Sequence, residues 1–237
     1  MSRYLLNPAN WMTAASVACG VLACVTVVGW QPVPAPRIGL AAGLIICAAL
    51  LDAADGSVAR MLDLRSGFGR QLDTLADVLS FGLAPAVVAY AAALGSLGSP
   101  GVAVAVGFVL AVAFRLARFH DPPGPWPWPA RSRGLPSTMA GGATAGLLLG
   151  RSVLVFPDGL VAVMMAGLAI LMVSSLPFPT FKDLAHHRGS LAHFGGIVVL
   201  AVATGVRFGL AWFFAAGAAA YLVSGFVDAV ATALRHR

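Results

Sequence analysis

The sequence contains no glutamate, and charged residues occupy only 10% of its 237 positions. A soluble domain carries about a quarter charged residues, so this composition excludes an ordinary soluble protein. Hydrophobic residues make up 59% of the chain, and the mean hydropathy is +0.87. The three cysteines show no CxxC spacing, so they indicate neither a zinc site nor a disulfide framework. The composition predicts an all-α, polytopic transmembrane helical bundle that forms one membrane-embedded domain over residues 1–237.

The long apolar runs predict the number of spans. A spanning helix needs about 20 predominantly apolar residues. Eight candidates fall at 11–30, 38–60, 71–95, 101–119, 137–151, 159–176, 191–206 and 208–234. The last two would form a C-terminal helical hairpin over 191–234. Proline-rich breaks at 31–36 and 121–129 are too poor in helix-forming residues to continue a helix and are interpreted as loops.

The distribution of basic residues predicts the orientation. With eight spans and the N-terminus inside, 12 of the 15 Lys and Arg residues fall on the cytoplasmic side. The three on the outer side are Arg37, Arg151 and Arg207. Because basic residues accumulate in cytoplasmic loops, this favours two cytoplasmic termini in a cell membrane. The net charge of +6 is then interpreted as a contact with anionic lipid, and no nucleic-acid partner is expected.

Five of the nine acidic residues lie within 26 positions, and four of these, Asp52, Asp55, Asp73 and Asp77, stand on two neighbouring apolar segments. The offsets i,i+3 and i,i+4 place each pair on one helix face. A carboxylate at membrane depth is costly and usually functional. Close carboxylates cannot all ionise cheaply unless positive charge lies between them. The pattern therefore predicts an oxygen-lined site for a pair of hard divalent cations, a centre suited to phosphoryl transfer.

Small residues and one arginine accompany the aspartates. Gly56, Ala59 and Gly69 would let a phosphorylated ligand approach the backbone closely, although small residues also serve close helix packing in membranes. Arg60 could donate hydrogen bonds to a phosphate, or it could be an ordinary interfacial arginine. A cation-coupled transporter is an alternative reading of the aspartates. It predicts broken helices at matched positions of two halves, and the sequence shows no such symmetry.

The full pattern is Asp-x-x-Asp-Gly-x-x-Ala-Arg, eight residues, then Gly-x-x-x-Asp-x-x-x-Asp. It resembles the signature of the CDP-alcohol phosphotransferase family, whose members exchange the CMP of a CDP-linked lipid for an alcohol. The resemblance implies two divalent ions, Mg²⁺ or Mn²⁺, held by Asp52, Asp55, Asp73 and Asp77. It also implies that Asp77 is the general base. The CDP group would contact Gly56, Ala59, Arg60, Gly69, Asn10 and Thr13.

Further segments, at 75–85, 114–119, 134–137 and 172–182, resemble the phosphatidylserine synthase branch of that family. The resemblance covers residues 10–182 and implies a six-helix family core, with the hairpin at 191–234 added to it. It implies transfer of the phosphatidyl group from CDP-diacylglycerol to L-serine, giving phosphatidylserine and CMP. It further implies an active site that faces the cytosol and a homodimer in the membrane lipid.

The acceptor alcohol is less sharply indicated. The sequence has His120 and Thr138 where the branch usually has Asn and Pro, and Ala9 where a Pro usually precedes Asn10. Glycerol 3-phosphate or inositol phosphate therefore stays open as the acceptor. A carboxylate or phosphate on the acceptor needs cations, and the candidates are Arg115, Arg118 and Lys182. These three residues could equally mark the cytoplasmic boundary of the membrane.

Overall fold

The computed structural model describes residues 7–61, 66–118, 132–151, 157–174 and 177–178. Its helices are α1 (Pro8–Val27), α2 (Ala35–Met61), α3 (Gly67–Asp77), α4 (Ala84–Ala92), α5 (Ser99–Arg118), α6 (Ser137–Arg151) and α7 (Asp158–Val173). A π-helix (Val78–Leu83) joins α3 to α4, and a 3-10 helix (Leu94–Leu97) follows α4. Two two-residue strands, β1 (Ser132–Arg133) and β2 (Pro177–Phe178), pair antiparallel. The bundle is helical, as predicted, and this small ladder joins two connecting segments.

The six spans predicted within residues 10–182 correspond to helical segments. Four segments of the described chain are long and apolar enough to cross a membrane: Pro8–Val27, Ala35–Val58, Gly67–Ala92 and Ser99–Arg118. Helices α6 and α7 are shorter, with 15 and 16 residues. The hairpin predicted at 191–234 lies outside the described residues, so the count of eight spans and the cytoplasmic termini stay predictions.

Helices α1 and α2 form an antiparallel pair. Asn7 caps α1 by accepting a hydrogen bond from the backbone N–H of Ala9 at 3.0 Å, and Pro8 occupies the first turn, where no N–H is needed. The buried face of α1 is made mostly of small residues, which let neighbouring backbones approach closely. These residues are Ala9, Asn10, Thr13, Ser16, Gly20, Ala23 and Val27.

The third span is not one regular α-helix. Ser66 caps α3 by accepting from the N–H of Gly69 at 3.0 Å. After Asp77 the helix widens into the π-helix, and it returns to α-geometry around Pro85. Proline lacks the N–H that an α-helix would bond to the carbonyl four residues earlier, which accounts for the altered ladder at this point. The sequence predicted the span but not its π-segment, which directly follows a signature aspartate.

The π-helix lies at the centre of the bundle, and three consecutive residues contact three different helices. A Cβ placed on Gly20 of α1 would lie 2.9 Å from Ser80 Cα, and one on Gly141 of α6 would lie 3.1 Å from Phe81 Cα. Gly82 packs against Val112 of α5. The largest fully buried side chains include Phe81 of the π-helix itself and Phe108, Ile45, Leu94, Leu148 and Met165 of other elements.

The segment before α6 is attached to the end of α7. The N–H of Leu135 donates to the carbonyl of Leu171 at 3.0 Å. Gly134 has a φ of 79°, and a Cβ there would overlap the carbonyl oxygen of Met172. Only glycine fits this conformation and this contact without strain. The attachment sets where α6 begins, and therefore where its first residue, Ser137, points.

Candidate active site

The aspartates of α2 and α3 converge at one end of the bundle. Asp52, Asp55 and Asp73 each offer one carboxylate oxygen, and these three oxygens lie within 4.8 Å of one another. Asp55 is buried, Asp52 is partly buried and Asp73 is exposed, so the group opens to one side. Hard oxygen donors at this spacing suit Mg²⁺ or Mn²⁺. Asp77 interacts electrostatically with this group, and we call the four residues together the aspartate cluster.

One carboxylate of the cluster is held from the first helix. Thr13 Oγ1 on α1 donates to Asp55 Oδ2 at 2.6 Å. Both side chains are buried, so water does not compete for this bond. Such a partner fixes the orientation of a metal-ligating carboxylate. The structure thus places Thr13, predicted to bind the CDP group, against an aspartate of the cluster.

Asp77 is held from the other side of the bundle. Ser137 Oγ donates to Asp77 Oδ2 at 3.2 Å, and Arg115 Nη1 donates to Ser137 Oγ at 3.1 Å. The second oxygen of Asp77, Oδ1, is buried and has no hydrogen-bond partner within the described part of the chain. A buried carboxylate oxygen without a donor is costly unless a cation or a proton comes to it. The donor set at this end therefore fits divalent metal ions.

Residues 6–174 match the CDP-alcohol phosphatidyltransferase family, which is well over half of the chain. The chain belongs to this family. The resemblance seen in the sequence is confirmed, and membership favours a transferase over the cation-coupled transporter. The aspartates that converge in the structure lie within the matched residues.

Three family relatives illustrate the similarity, and each is named CDP-diacylglycerol–serine O-phosphatidyltransferase. The protein of Helicobacter pylori strain 26695 is 38% identical over 111 residues, which cover 47% of this chain and 44% of that protein. The protein of strain J99 is 32% identical over 179 residues, 74% of this chain and 73% of that protein. The Mycobacterium leprae protein is 32% identical over 207 residues, 80% of this chain and 66% of that protein. The chain thus spans less than two thirds of the length of two of these relatives.

The remaining signature positions are placed by the same helices. Gly56 is partly buried and directly follows Asp55. Gly69 lies in the first turn of α3, where a Cβ would come within 3.2 Å of both Asn10 Oδ1 and Ser66 Oγ. Its lack of a side chain lets α3 approach α1 beside the aspartate cluster. Ala59 and Arg60 continue α2, and their side chains lie outside the described part of the structure.

The three cations proposed for the acceptor differ in environment. Arg115 is buried and donates to Ser137, whereas Arg118 is exposed and donates through Nη1 to the carbonyl of Val173 at 3.2 Å. Both lie at the end of α5 that faces the aspartate cluster. Lys182 and the departure at His120 lie outside the described residues. By contrast, Arg37 and Arg151 lie at the opposite end of the bundle, and Arg151 pairs with Asp158.

Sequence reasoning missed three hydroxyl residues that support the site. The sequence predicted no role for Ser137, although the Gly-Leu-Pro-Ser segment that contains it resembles the phosphatidylserine synthase branch. Ser16 donates to the carbonyl of Ala48 at 3.1 Å, and Ser80 donates to the carbonyl of Ser16 at 3.0 Å. These bonds tie α1, α2 and the π-helix together beneath the aspartate cluster. Single serines in apolar helices carry no periodic signal, so only the tertiary contacts reveal them.

Proposed function

We propose that this protein is an integral-membrane phosphatidyltransferase that transfers the phosphatidyl group of CDP-diacylglycerol to the hydroxyl of L-serine. The products are phosphatidylserine and CMP. The convergence of the four signature aspartates at one end of the bundle is the observation that carries this proposal. The names of the family relatives support serine as the acceptor.

The proposed metal ligands are Asp52, Asp55, Asp73 and Asp77. When bound there, two divalent ions would neutralise the diphosphate of the CDP-lipid and stabilise charge on the leaving CMP. Thr13 holds Asp55 in one orientation for this purpose. The CDP group would lie along Gly56, Ala59, Arg60 and Gly69, where the glycines permit close approach of the ligand to the helix backbone. Asn10, beside Gly69, borders the same region.

Asp77 is the proposed general base. A neutral hydroxyl is a poor nucleophile, so its proton must be removed as the new bond forms. In the net reaction the serine oxygen bonds to phosphorus, the bond from phosphorus to the CMP oxygen breaks, and the hydroxyl proton passes to the Asp77 carboxylate. Asp77 suits this role because one of its oxygens, Oδ1, has no hydrogen-bond donor among the described residues.

The carboxylate of serine requires a cation near the base. Arg118 is exposed at the same end of the bundle, and its Nη1 bond to a backbone carbonyl leaves other guanidinium N–H groups to donate. Arg115 is less suited because its guanidinium donates to the buried Ser137. We therefore propose Arg118 and Lys182 as the acceptor-binding cations. We also propose that the site faces the cytosol in a cell membrane and that the protein forms a homodimer.

An acceptor panel tests the proposed reaction. The protein purified in detergent is given CDP-diacylglycerol and Mn²⁺ or Mg²⁺, with L-serine, glycerol 3-phosphate or inositol phosphate in separate reactions. CMP release with serine alone, together with a ninhydrin-positive phospholipid product, is the expected result. Release with a phosphorylated alcohol instead would contradict serine as the acceptor while leaving the phosphotransferase chemistry intact. The Asp52→Asn variant serves as the inactive control.

A further inference from the structure

The polar contact between α3, α5 and α6 has a fixed direction. A guanidinium only donates hydrogen bonds, so Ser137 Oγ must accept from Arg115 Nη1 at 3.1 Å. The single hydroxyl proton of Ser137 is then available for Asp77 Oδ2, 3.2 Å away. Ser137 and Arg115 are only 2% and 8% exposed, which shields this chain of bonds from water. The order Arg115 to Ser137 to Asp77 follows from the chemistry of the three groups.

We propose that Ser137 is a positioning residue that orients the Asp77 carboxylate, an inference that rests on the proposed role of Asp77 as base. Ser137 holds Oδ2 toward α6. No donor from the described part of the protein satisfies Oδ1, and in the proposed mechanism Oδ1 is the oxygen that takes the proton. Partners of this kind restrict the rotation of a functional carboxylate and typically contribute about 10- to 100-fold in metal affinity or activity.

The backbone around Ser137 is built to hold it in place. Ser137 is the first residue of α6, and the N–H of Leu135 just before it bonds to the carbonyl of Leu171. Gly134 permits the turn that brings this segment against the end of α7. A side chain on a helix terminus that is hydrogen-bonded to a neighbouring helix is better fixed than one on a free loop. Ser137 therefore constrains Asp77, and Arg115 constrains Ser137.

Three variants in α6 test this role by steady-state kinetics. Ser137→Ala removes the hydroxyl, Ser137→Thr keeps it, and Thr144→Ala removes another buried hydroxyl of the same helix, which among the described residues bonds only to the carbonyl of Ala140. We expect Ser137→Ala to lower kcat about 10- to 100-fold while KM for CDP-diacylglycerol stays within about two-fold. Ser137→Thr should recover most of kcat, and Thr144→Ala should resemble the parent. Unchanged kcat in Ser137→Ala, or an equal loss in Thr144→Ala, would overturn the proposal.

A Mn²⁺ titration followed by electron paramagnetic resonance gives a second readout that needs no turnover. Because Asp77 is also a proposed ligand, Ser137→Ala should weaken Mn²⁺ binding by about ten-fold, and Ser137→Thr should restore it. The kinetic comparison uses whichever alcohol supports CMP release by the parent, so a wrong acceptor contradicts the proposed reaction and not the role of Ser137. If no alcohol supports release, the proposed function fails, and Mn²⁺ binding decides the role of Ser137. Parent-like Mn²⁺ binding in Ser137→Ala would then overturn it.

Discussion

Thr13 on the first helix donates a 2.6 Å hydrogen bond to Asp55 on the second, across 42 residues of sequence. The same hydroxyl also lies 3.1 Å from the carbonyl of Ala9 in its own helix. A threonine has one hydroxyl proton to donate. The Asp55 carboxylate is the stronger acceptor of the two because it is charged and closer. The first helix, which carries none of the aspartates, therefore sets the orientation of one proposed metal ligand.

Replacement of Thr13 should weaken metal binding. Thr13→Val keeps the shape of the side chain but removes the donor, which leaves Asp55 free to rotate. We expect Mn²⁺ affinity to fall about ten-fold, measured by titration of the purified protein. Thr26→Val on the same helix is the matched control because, within the described part of the chain, the Thr26 hydroxyl bonds only to the carbonyl of Ala23, at 2.7 Å. Equal losses in the two variants would show that the effect comes from the helix and not from Asp55.

Asp52→Asn should impair metal binding and turnover together. Asp52 contributes one of the three carboxylate oxygens that lie within 4.8 Å of one another, and an amide is a weaker ligand without negative charge. We expect Mn²⁺ affinity to fall at least about 10-fold and CMP release to fall below detection. Normal Mn²⁺ binding by this variant would remove Asp52 from the ligand set.

Asp77→Asn should strongly reduce turnover while CDP-diacylglycerol still binds. The amide nitrogen carries no lone pair that can take the hydroxyl proton, so turnover should fall by about 10²- to 10⁴-fold. The three oxygens of Asp52, Asp55 and Asp73 stay in place, so CDP-diacylglycerol should still bind when the metal is saturating. Turnover can be measured by CMP release and binding by equilibrium retention of labelled CDP-lipid. Parent-like turnover would show that another group is the base.

Chelation of divalent ions should abolish the activity of the protein reversibly. Removal of divalent ions leaves clustered carboxylates without the charge that the proposed chemistry requires. We expect EDTA to abolish CMP release and added Mg²⁺ or Mn²⁺ to restore it, while Ca²⁺, with its longer bonds and looser geometry, restores less. Full activity in EDTA would contradict a metal-dependent site.

The close contact between α1 and the π-helix should make the stability of the protein sensitive to a larger side chain at Gly20. Gly20→Ala would place a Cβ 2.9 Å from Ser80 Cα, and a backbone atom cannot move aside cheaply. Overpacking of this kind costs about 1–3 kcal/mol, so the midpoint of thermal unfolding in detergent should fall. Gly43→Ala on α2 is the control, because nothing lies within 4 Å of its added Cβ. A lower midpoint for both variants would indicate a helix effect unrelated to packing.

Much of the site was predictable from local sequence. The spacing of Asp52 and Asp55, and of Asp73 and Asp77, places each pair on one helix face whatever surrounds it. Their convergence across two helices was an expectation that the oxygens of Asp52, Asp55 and Asp73 support. The local sequence did not predict that Thr13 would bond to Asp55 or that Ser137 would bond to Asp77. Their partners lie 42 and 60 residues away, and no local pattern relates such distant positions.

The sequence by itself determined that this chain forms membrane-length helices, because an apolar segment in lipid must satisfy its backbone hydrogen bonds within a helix. It also determined which helices carry the carboxylates. The tertiary structure alone decided which hydroxyl holds which aspartate, where the third span widens into a π-helix, and how Gly134 fastens α6 to α7. These features depend on close contacts between helices that are remote in sequence, and helix propensity and hydrophobic periodicity do not encode such contacts.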